Sequence, residues 1–288
     1  MLNEERLKIT TLVENTAFKR GFLAEWGLCV LIEADGKKIL LDSGASPHAV
    51  LHNACVLGID LSEVDVMVLS HGHFDHTGGL TAVLGAMGKE MEIIAHPSAW
   101  DLKYARRNDP EWYEYCGIPF SRDELERLGG RFTFTAGPTW ITGDVVVSGE
   151  EPMTTDFEAP DAILYLKQGE GFIRDTVADD QSIYIKTNLG LVVVAGCAHR
   201  GIINVVRHAR ELTGMNSVYL VLGGTHLFTA PDVQLEKTIE AFRELRVEWI
   251  GVSHCTGMKQ SARLAREFGD RFFFNNTGTV VRFPLEVL

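Results

Sequence analysis

Apolar residues in this chain fall in short runs punctuated by polar turns. Residues 30–44, VLIEADGKKILLDSG, place two such runs around Asp35-Gly36, which predicts a hairpin. Residues 183–199, IYIKTNLGLVVVAGCAH, repeat the plan around Asn188-Leu189-Gly190. After the first hairpin, Ser46-Pro47 supplies a helix N-cap and a proline at the first helical position, and Val50, Leu51, Ala54 and Leu57 follow at helical spacing. After the second, Gly201–Leu212 carries Ile202, Ile203, Val206 and Ala209 on one face. Each helix leads to another apolar run, Val64–Leu69 in one case and Val218–Leu222 in the other. Two hairpin–helix–strand units predict two similar halves packed face to face, sheets inside and helices outside.

Between the halves, over residues 97–180, the pattern loosens. This stretch holds Trp100, Tyr104, Trp112, Tyr113, Tyr115 and Phe120, a capped helix start at Ser121-Arg-Asp-Glu124, and the turn-rich GEEPMTTDFEAPD. It is expected to be an insertion or cover within one domain spanning 1–288, its aromatics serving as core packing or as the apolar wall of a site. Beyond the second half, the pattern predicts a helix at Pro231–Leu245, a strand at Trp249–Val252, a helix over Ser261–Phe268, and strands at Arg271–Phe274 and Thr279–Phe283.

Charge and cysteine usage narrow the function classes. The 288 residues carry 39 acidic against 27 basic side chains, a formal net charge of -12, which argues against nucleic acid or an anionic membrane as the main partner. No apolar run approaches the length of a bilayer span, and MLNEERLKIT lacks the apolar centre of a secretory leader. Five scattered cysteines without CxxC spacing argue against a disulfide framework or a thiolate zinc site. A cytoplasmic protein is expected; association into a homo-oligomer is left open.

The chemistry lies at the strand ends. Val66–Leu69 runs into His71, His73 and His76, Leu191–Ala195 into His199, Val218–Leu222 into His226, and Trp249–Val252 into His254. Ligands of open α/β sheets collect beyond the carboxyl ends of strands, and six of the ten histidines standing there imply convergence. Neutral imidazole binds zinc and also suits iron. His71 and His73, two apart in an extended turn, can aim at one ion that His199 would close. Asp75 and His76 point to a second position that His254 would close. Gly78 and Gly79 would let the backbone bend around the ions. One or two divalent ions are expected, zinc first, with manganese or iron as alternatives.

His71-x-His73-x-Asp75-His76, with the later single histidines His199 and His254, resembles the signature of the metallo-β-lactamase superfamily, and Leu41-Asp42-Ser43-Gly44 is similar to its early aspartate motif. The resemblance implies an α/β fold, a four-layer αββα sandwich with a dinuclear site along one edge. It assigns His71, His73 and His199 to one metal and Asp75, His76 and His254 to the other, with Asp42 orienting a ligand. In one respect the chain departs from the pattern. Many relatives bridge the metals with an aspartate at the end of the strand between the last two histidines. Here that strand ends Leu222-Gly223-Gly224-Thr225-His226, and Asp232, the lone aspartate between His199 and His254, opens a predicted helix. Two metals are therefore less firmly expected than in those relatives.

Asp179-Asp180-Gln181, Gly196-Cys197-Ala198-His199-Arg200-Gly201-Ile202, Gly223-Gly224-Thr225-His226-Leu227 and Ser253-His254-Cys255-Thr256-Gly257 together resemble one branch, that of 7,8-dihydropterin-6-methyl-4-(β-D-ribofuranosyl)-aminobenzene-5'-phosphate synthase-like proteins. This implies a phosphate-bearing small-molecule substrate. The expected function is hydrolysis of a small phosphoester or cyclic phosphate by metal-bound hydroxide. Asp75 and His226 would be catalytic, and Thr225 and His226 would contact substrate. The alternatives are a pterin-linked synthase-type transferase and a low-turnover metal-dependent sensor. Cys197 and Cys255 are read as packing, His48, His52 and His208 as helix-face residues, and His96 as structural. Arg106, Arg107 and Arg122 are read as solvated charges, with phosphate binding as the alternative.

Overall fold

In the strand Gly190–Ala195 every residue is buried, yet its side chains divide by parity. Val192 and Val194 join one apolar cluster, and Leu191, Val193 and Ala195 another. A strand buried on both faces reads as a continuous apolar run, because both sides are covered. The computed structural model, which describes residues 1–107 and 112–288, shows what covers them. The Val192 side meets a second sheet through Val30, Ile32, Ile39, Leu41, Val66 and Val68. The Leu191 side packs against the helices Ile202–Thr213, Asp232–Glu244 and Met258–Phe268. The other sheet has its own outer layer, helices Pro47–Leu57 and Leu80–Met87 over Leu31, Leu40, Met67 and Ile93. The architecture is the four-layer αββα sandwich.

The internal echo extends to strand direction. In the first sheet, Lys8–Val13, Cys29–Ala34 and Lys37–Leu41 are joined antiparallel, and then Val66–Val68, Met91–Ala95 and Gly130–Phe134 add in parallel. In the second sheet, Val145–Val147, Ser182–Thr187 and Gly190–Ala195 are antiparallel, and Val218–Gly224, Trp249–Ser253 and Phe272–Phe274 add in parallel. Both halves follow one plan. The chain finally crosses back, placing Val280–Arg282 beside Lys8–Val13.

Local signals act as expected at the helix ends. Ser46 accepts from the His48 amide, with Pro47 in the first turn and Gly58 closing the helix at φ 66°. Ser121 and Glu124 form a reciprocal capping box at Arg122–Arg127.

Among the described residues, the stretch 97–180 contributes to all three sheets. Gly130–Phe134 and Val145–Val147 belong to the central pair, while Lys103–Arg106, Tyr113–Tyr115, Leu164–Gln168 and Gly171–Arg174 form a separate four-stranded sheet. Residues 108–111 of this stretch lie outside the described residues. Its aromatics divide accordingly. Trp100 packs edge-on to Phe132 at the first sheet, while Tyr104, Tyr113, Tyr115, Tyr165 and Phe172 interlock on the small sheet. Among the described residues, no helix is long and apolar enough to cross a membrane.

Candidate functional site

Parallel strands end at the same edge of each sheet, so the turns after Val66–Val68, Gly190–Ala195, Val218–Gly224 and Trp249–Ser253 meet across the sandwich. The histidines converge there in two clusters. His71, His73 and His199 form one group, and Asp75, His76 and His254 the other; within each, the ligand atoms all lie within 4.8 Å of one another. His71 Nε2 is 3.1 Å from His199 Nε2, and His76 Nε2 is 3.2 Å from His254 Nε2. Asp75 Oδ2 lies 3.4 Å from His254 Nε2. A tetrahedral zinc ion with nitrogen ligands at about 2.0–2.1 Å sets them about 3.3 Å apart, so these separations fit a metal. His73 Nε2 is buried without a hydrogen-bond partner, as a ligand awaiting an ion would be.

The far side of three rings is held. Asp42 Oδ2 accepts from His76 Nδ1 at 2.6 Å and from the Ser70 hydroxyl at 2.7 Å, and that hydroxyl accepts in turn from His71 Nδ1 at 2.9 Å. One carboxylate thus orients a ring in each cluster and turns each Nε2 inward. His254 Nδ1 donates to Asn15 Oδ1 at 2.9 Å, while the His254 amide donates to Glu14. The site also concentrates backbone strain. Asp42, Ala198, His226 and His254 are non-glycine residues at φ of 47–62°.

The clusters differ electrostatically. Burial pulls His71 and His199 well below the usual imidazole range and His73 down to about 3, their like neighbours adding to the effect. Burial also pulls on His76, but the Asp42 and Asp75 carboxylates outweigh it and raise the ring to about 9. Asp75 is pushed up by burial, yet His76 and His254 hold it below the ordinary carboxylate range.

The Asp179-Asp180-Gln181 segment laces the turns together. Asp179 accepts the Gly72 amide at 2.7 Å, Asp180 the Arg200 amide at 2.9 Å, and Gln181 Nε2 donates to the Leu69 carbonyl at 2.7 Å. Asp179 and Asp175 also receive the buried Lys103 ammonium from the small sheet, at 2.7 and 3.3 Å. Gly78 and Gly79 have a role other than the expected one. Their backbones are helix-like, and a Cβ on either would lie 2.1 Å from the carbonyl of Ala45 or Ser43. They admit the loop after Asp42 rather than shaping the chain around ions.

A cavity of about 370 Å³ opens over both clusters, walled by Trp26, Phe74, Phe228 and Leu164. His226 lies in it, ring centroid 4.0 Å from that of His199, with neither ring nitrogen partnered. Thr225 does not line it; its hydroxyl donates to Thr256 in the interior at 3.0 Å. Arg107 reaches the cavity while paired to Glu114 at 2.6 Å. Arg106 lies over Tyr165, and Arg122 pairs with Glu126. His48 and His52 are exposed. His208 is half-buried against Glu151, and His96 accepts the Ser98 amide at a short helix start. Asp232 is exposed in the first turn of its helix, far from any bridging role. Sequence reading passed over Trp26, Phe74 and Phe228, although Phe74 lies inside the histidine motif and Phe228 two residues after His226. It also missed Ser70 and Asn15, which no motif marks.

Known proteins resemble this chain in sequence and fold. The family model "Metallo-beta-lactamase superfamily" matches residues 27–90. The chain is 33% identical to 7,8-dihydropterin-6-methyl-4-(beta-D-ribofuranosyl)-aminobenzene-5'-phosphate synthase of Methanocaldococcus jannaschii, over 97% of each chain. It is 44% identical over 106 residues to the anti-Pycsar protein Apyc1 of Saccharibacillus brassicae, covering 37% of this chain and 41% of that one. The solved structure of Tm1679, described as a metal-dependent hydrolase of the β-lactamase superfamily, superposes with a TM-score of 0.82 at 28% identity, covering 96% of this chain and 98% of the other. With the sandwich, the paired clusters and a full-length relative in agreement, the chain belongs to the metallo-β-lactamase superfamily, in the branch that includes the dihydropterin ribofuranosyl-aminobenzene phosphate synthase.

Proposed function

We propose that this protein is a metal-dependent hydrolase that cleaves a phosphoester or cyclic phosphate of a small molecule. The observation that carries this reading is the pair of ligand clusters opening into one cavity, with the unpartnered ring of His226 beside them. His71, His73 and His199 would hold one divalent ion and Asp75, His76 and His254 the other, a donor set suited to zinc. Ions held there would supply a water nucleophile at neutral pH and a clamp for phosphoryl oxygens.

The rest of the work falls to the chain. The depressed imidazoles of the first cluster stay neutral and keep their lone pairs available. Asp75, held ionised by its two histidine neighbours, would orient the attacking water. His226 would donate a proton or hydrogen bond to the leaving oxygen. Trp26, Phe74 and Phe228 would receive a flat apolar group and exclude water. Arg107 would exchange Glu114 for a substrate phosphate. All five cysteines are free, which suits a reducing, cytoplasmic setting.

The description of Tm1679 as a hydrolase and the 5'-phosphate in the name of the full-length relative both support this reading. That same relative favours a second one, a synthase-type transferase acting on a pterin-linked phosphate. Initial rates on bis(p-nitrophenyl) phosphate and cyclic nucleotides, beside a lactam and a thioester, test the proposal. Chelator-sensitive turnover of the phosphodiesters is expected. Activity on the thioester alone would overturn it.

A further inference from the structure

The aspartate that many relatives use between the metals has no counterpart at the end of Val218–Gly224, and packing explains why. A Cβ on Gly223 would lie 2.1 Å from the Ala195 carbonyl, and one on Gly224 would lie 2.4 Å from the Gly196 carbonyl and 2.7 Å from Cys255 Sγ. No side chain fits at either position. The adjoining space is filled from the neighbouring turns, by Cys197 and Cys255.

Their sulfurs are placed differently. Cys255 Sγ already accepts the His226 amide at 3.3 Å and lies 3.4 Å from the Cys197 carbonyl. Cys197 Sγ faces the histidines, 3.1 Å from His76 Nε2. It groups with His71 and His76, with His199 and His226, and again with His254 and Cys255, the ligand atoms in each group lying within 4.8 Å of one another. Among the described residues, Cys197 alone belongs to three such groups, and it alone reaches ligands of both clusters from outside them. Nitrogen and sulfur ligands on one tetrahedral zinc, at about 2.0 and 2.3 Å from the ion, stand about 3.5 Å apart, close to the separation seen from His76.

We propose that Cys197 is a metal ligand whose sulfur bridges the two ion positions, doing through a thiolate what a carboxylate does in other members of the superfamily. The assignment rests on the two-cluster metal reading and deepens it. It also restricts the metals: a bridging thiolate favours zinc or iron over magnesium and manganese, which prefer oxygen. Lone buried cysteines usually pack; Cys197 differs in facing four of the six ligand side chains, His71, His76, His199 and His254, from the strand end where they meet.

Cobalt(II) loading tests this, because thiolate-bound cobalt absorbs in the near ultraviolet through sulfur-to-metal charge transfer and imidazole-bound cobalt does not. The expected result is that band in the wild-type protein, its loss in Cys197→Ala, and its retention in Cys255→Ala. Cys197→Ala should bind its weaker cobalt ion at least about tenfold less tightly, and Cys197→Asp should restore that affinity without the band. Cobalt uptake without the band in the wild type, or a band that survives Cys197→Ala, would overturn the thiolate assignment and leave the two-cluster reading standing. Failure of the wild-type protein to take up cobalt would overturn both. Should Cys197→Ala fail to fold, Cys197→Asp carries the same test, because a band that persists in it would equally overturn the assignment.

Discussion

The two ligand clusters sit in one cavity and draw on the same orienting carboxylate, yet they are built for opposite proton states. His71, His73 and His199 are held below the usual imidazole range by burial and by the positive groups around them, Lys103 among them. The second cluster holds an ionised Asp75 and a His76 raised to about 9, because Asp42 and Asp75 both face that ring. A first ion would meet lone pairs already free. A second would have to displace a proton, since a ligand binds metal only when deprotonated. Similar geometry is therefore expected to give unequal affinity, with carboxylate placement setting which site is the labile one.

The largest expected effect falls on the support of the first cluster. Lys103 is buried with Asp175 and Asp179, and Asp179 holds the amide of Gly72 between His71 and His73. Lys103→Met strands two buried carboxylates and should cost about 3–5 kcal/mol of unfolding stability, read as a shift in denaturant midpoint at unchanged slope. A change below 1 kcal/mol would mean that the small sheet does not brace the histidine turn. Next come the ligands themselves. His71→Ala and His254→Ala should each lower phosphodiester turnover by more than about 100-fold, beyond what loss of an outer partner usually does. Wild-type rates in either would remove that cluster from the reaction.

Acidity should separate the clusters. His76 is raised, so its ring carries a proton below about 9 in the metal-free fold. Affinity at the second cluster should fall about tenfold per pH unit as pH drops from 8 to 6, one proton being displaced per ion. The first cluster should hold its ion across this range, because His73 gains a proton only near 3. Competitive chelator titrations at several pH values check this, and parallel slopes for both ions would erase the distinction. Smaller effects follow from the outer hydrogen bonds. Asp42→Asn should weaken both sites by about 10–100-fold, and Asn15→Ala should weaken the second alone by about tenfold. If Asp42→Asn touched one site only, the chain from Asp42 through Ser70 to His71 would carry no weight.

Much of this was legible because each signal is local and physically narrow. The hairpin turns, Ser46-Pro47 and the histidines after apolar runs each have few structural solutions, and together they imply the duplicated sandwich. The six expected ligands assemble for the same reason: parallel strands deliver their ends to one edge. What escaped depends on pairings between distant residues. Lys103 reads as a surface cation until Asp175 and Asp179 arrive from 72 and 76 positions away. Tyr113–Tyr115 is too short to announce a strand; it pairs with Lys103–Arg106, and strands beyond residue 160 complete that sheet. Thr225 adjoins His226 in sequence yet turns to Thr256, since a residue in left-handed conformation follows it. Cys197 looks like filler in sequence, and its place facing both clusters emerges only when the two halves close.

Metal content tests the central claim, two separate ion sites sharing one cavity, most directly. Protein loaded with zinc and freed of excess should carry about two ions per chain. His71→Ala and His254→Ala should each fall to about one, and the double variant to none. Zinc content unchanged in both single variants would contradict the account.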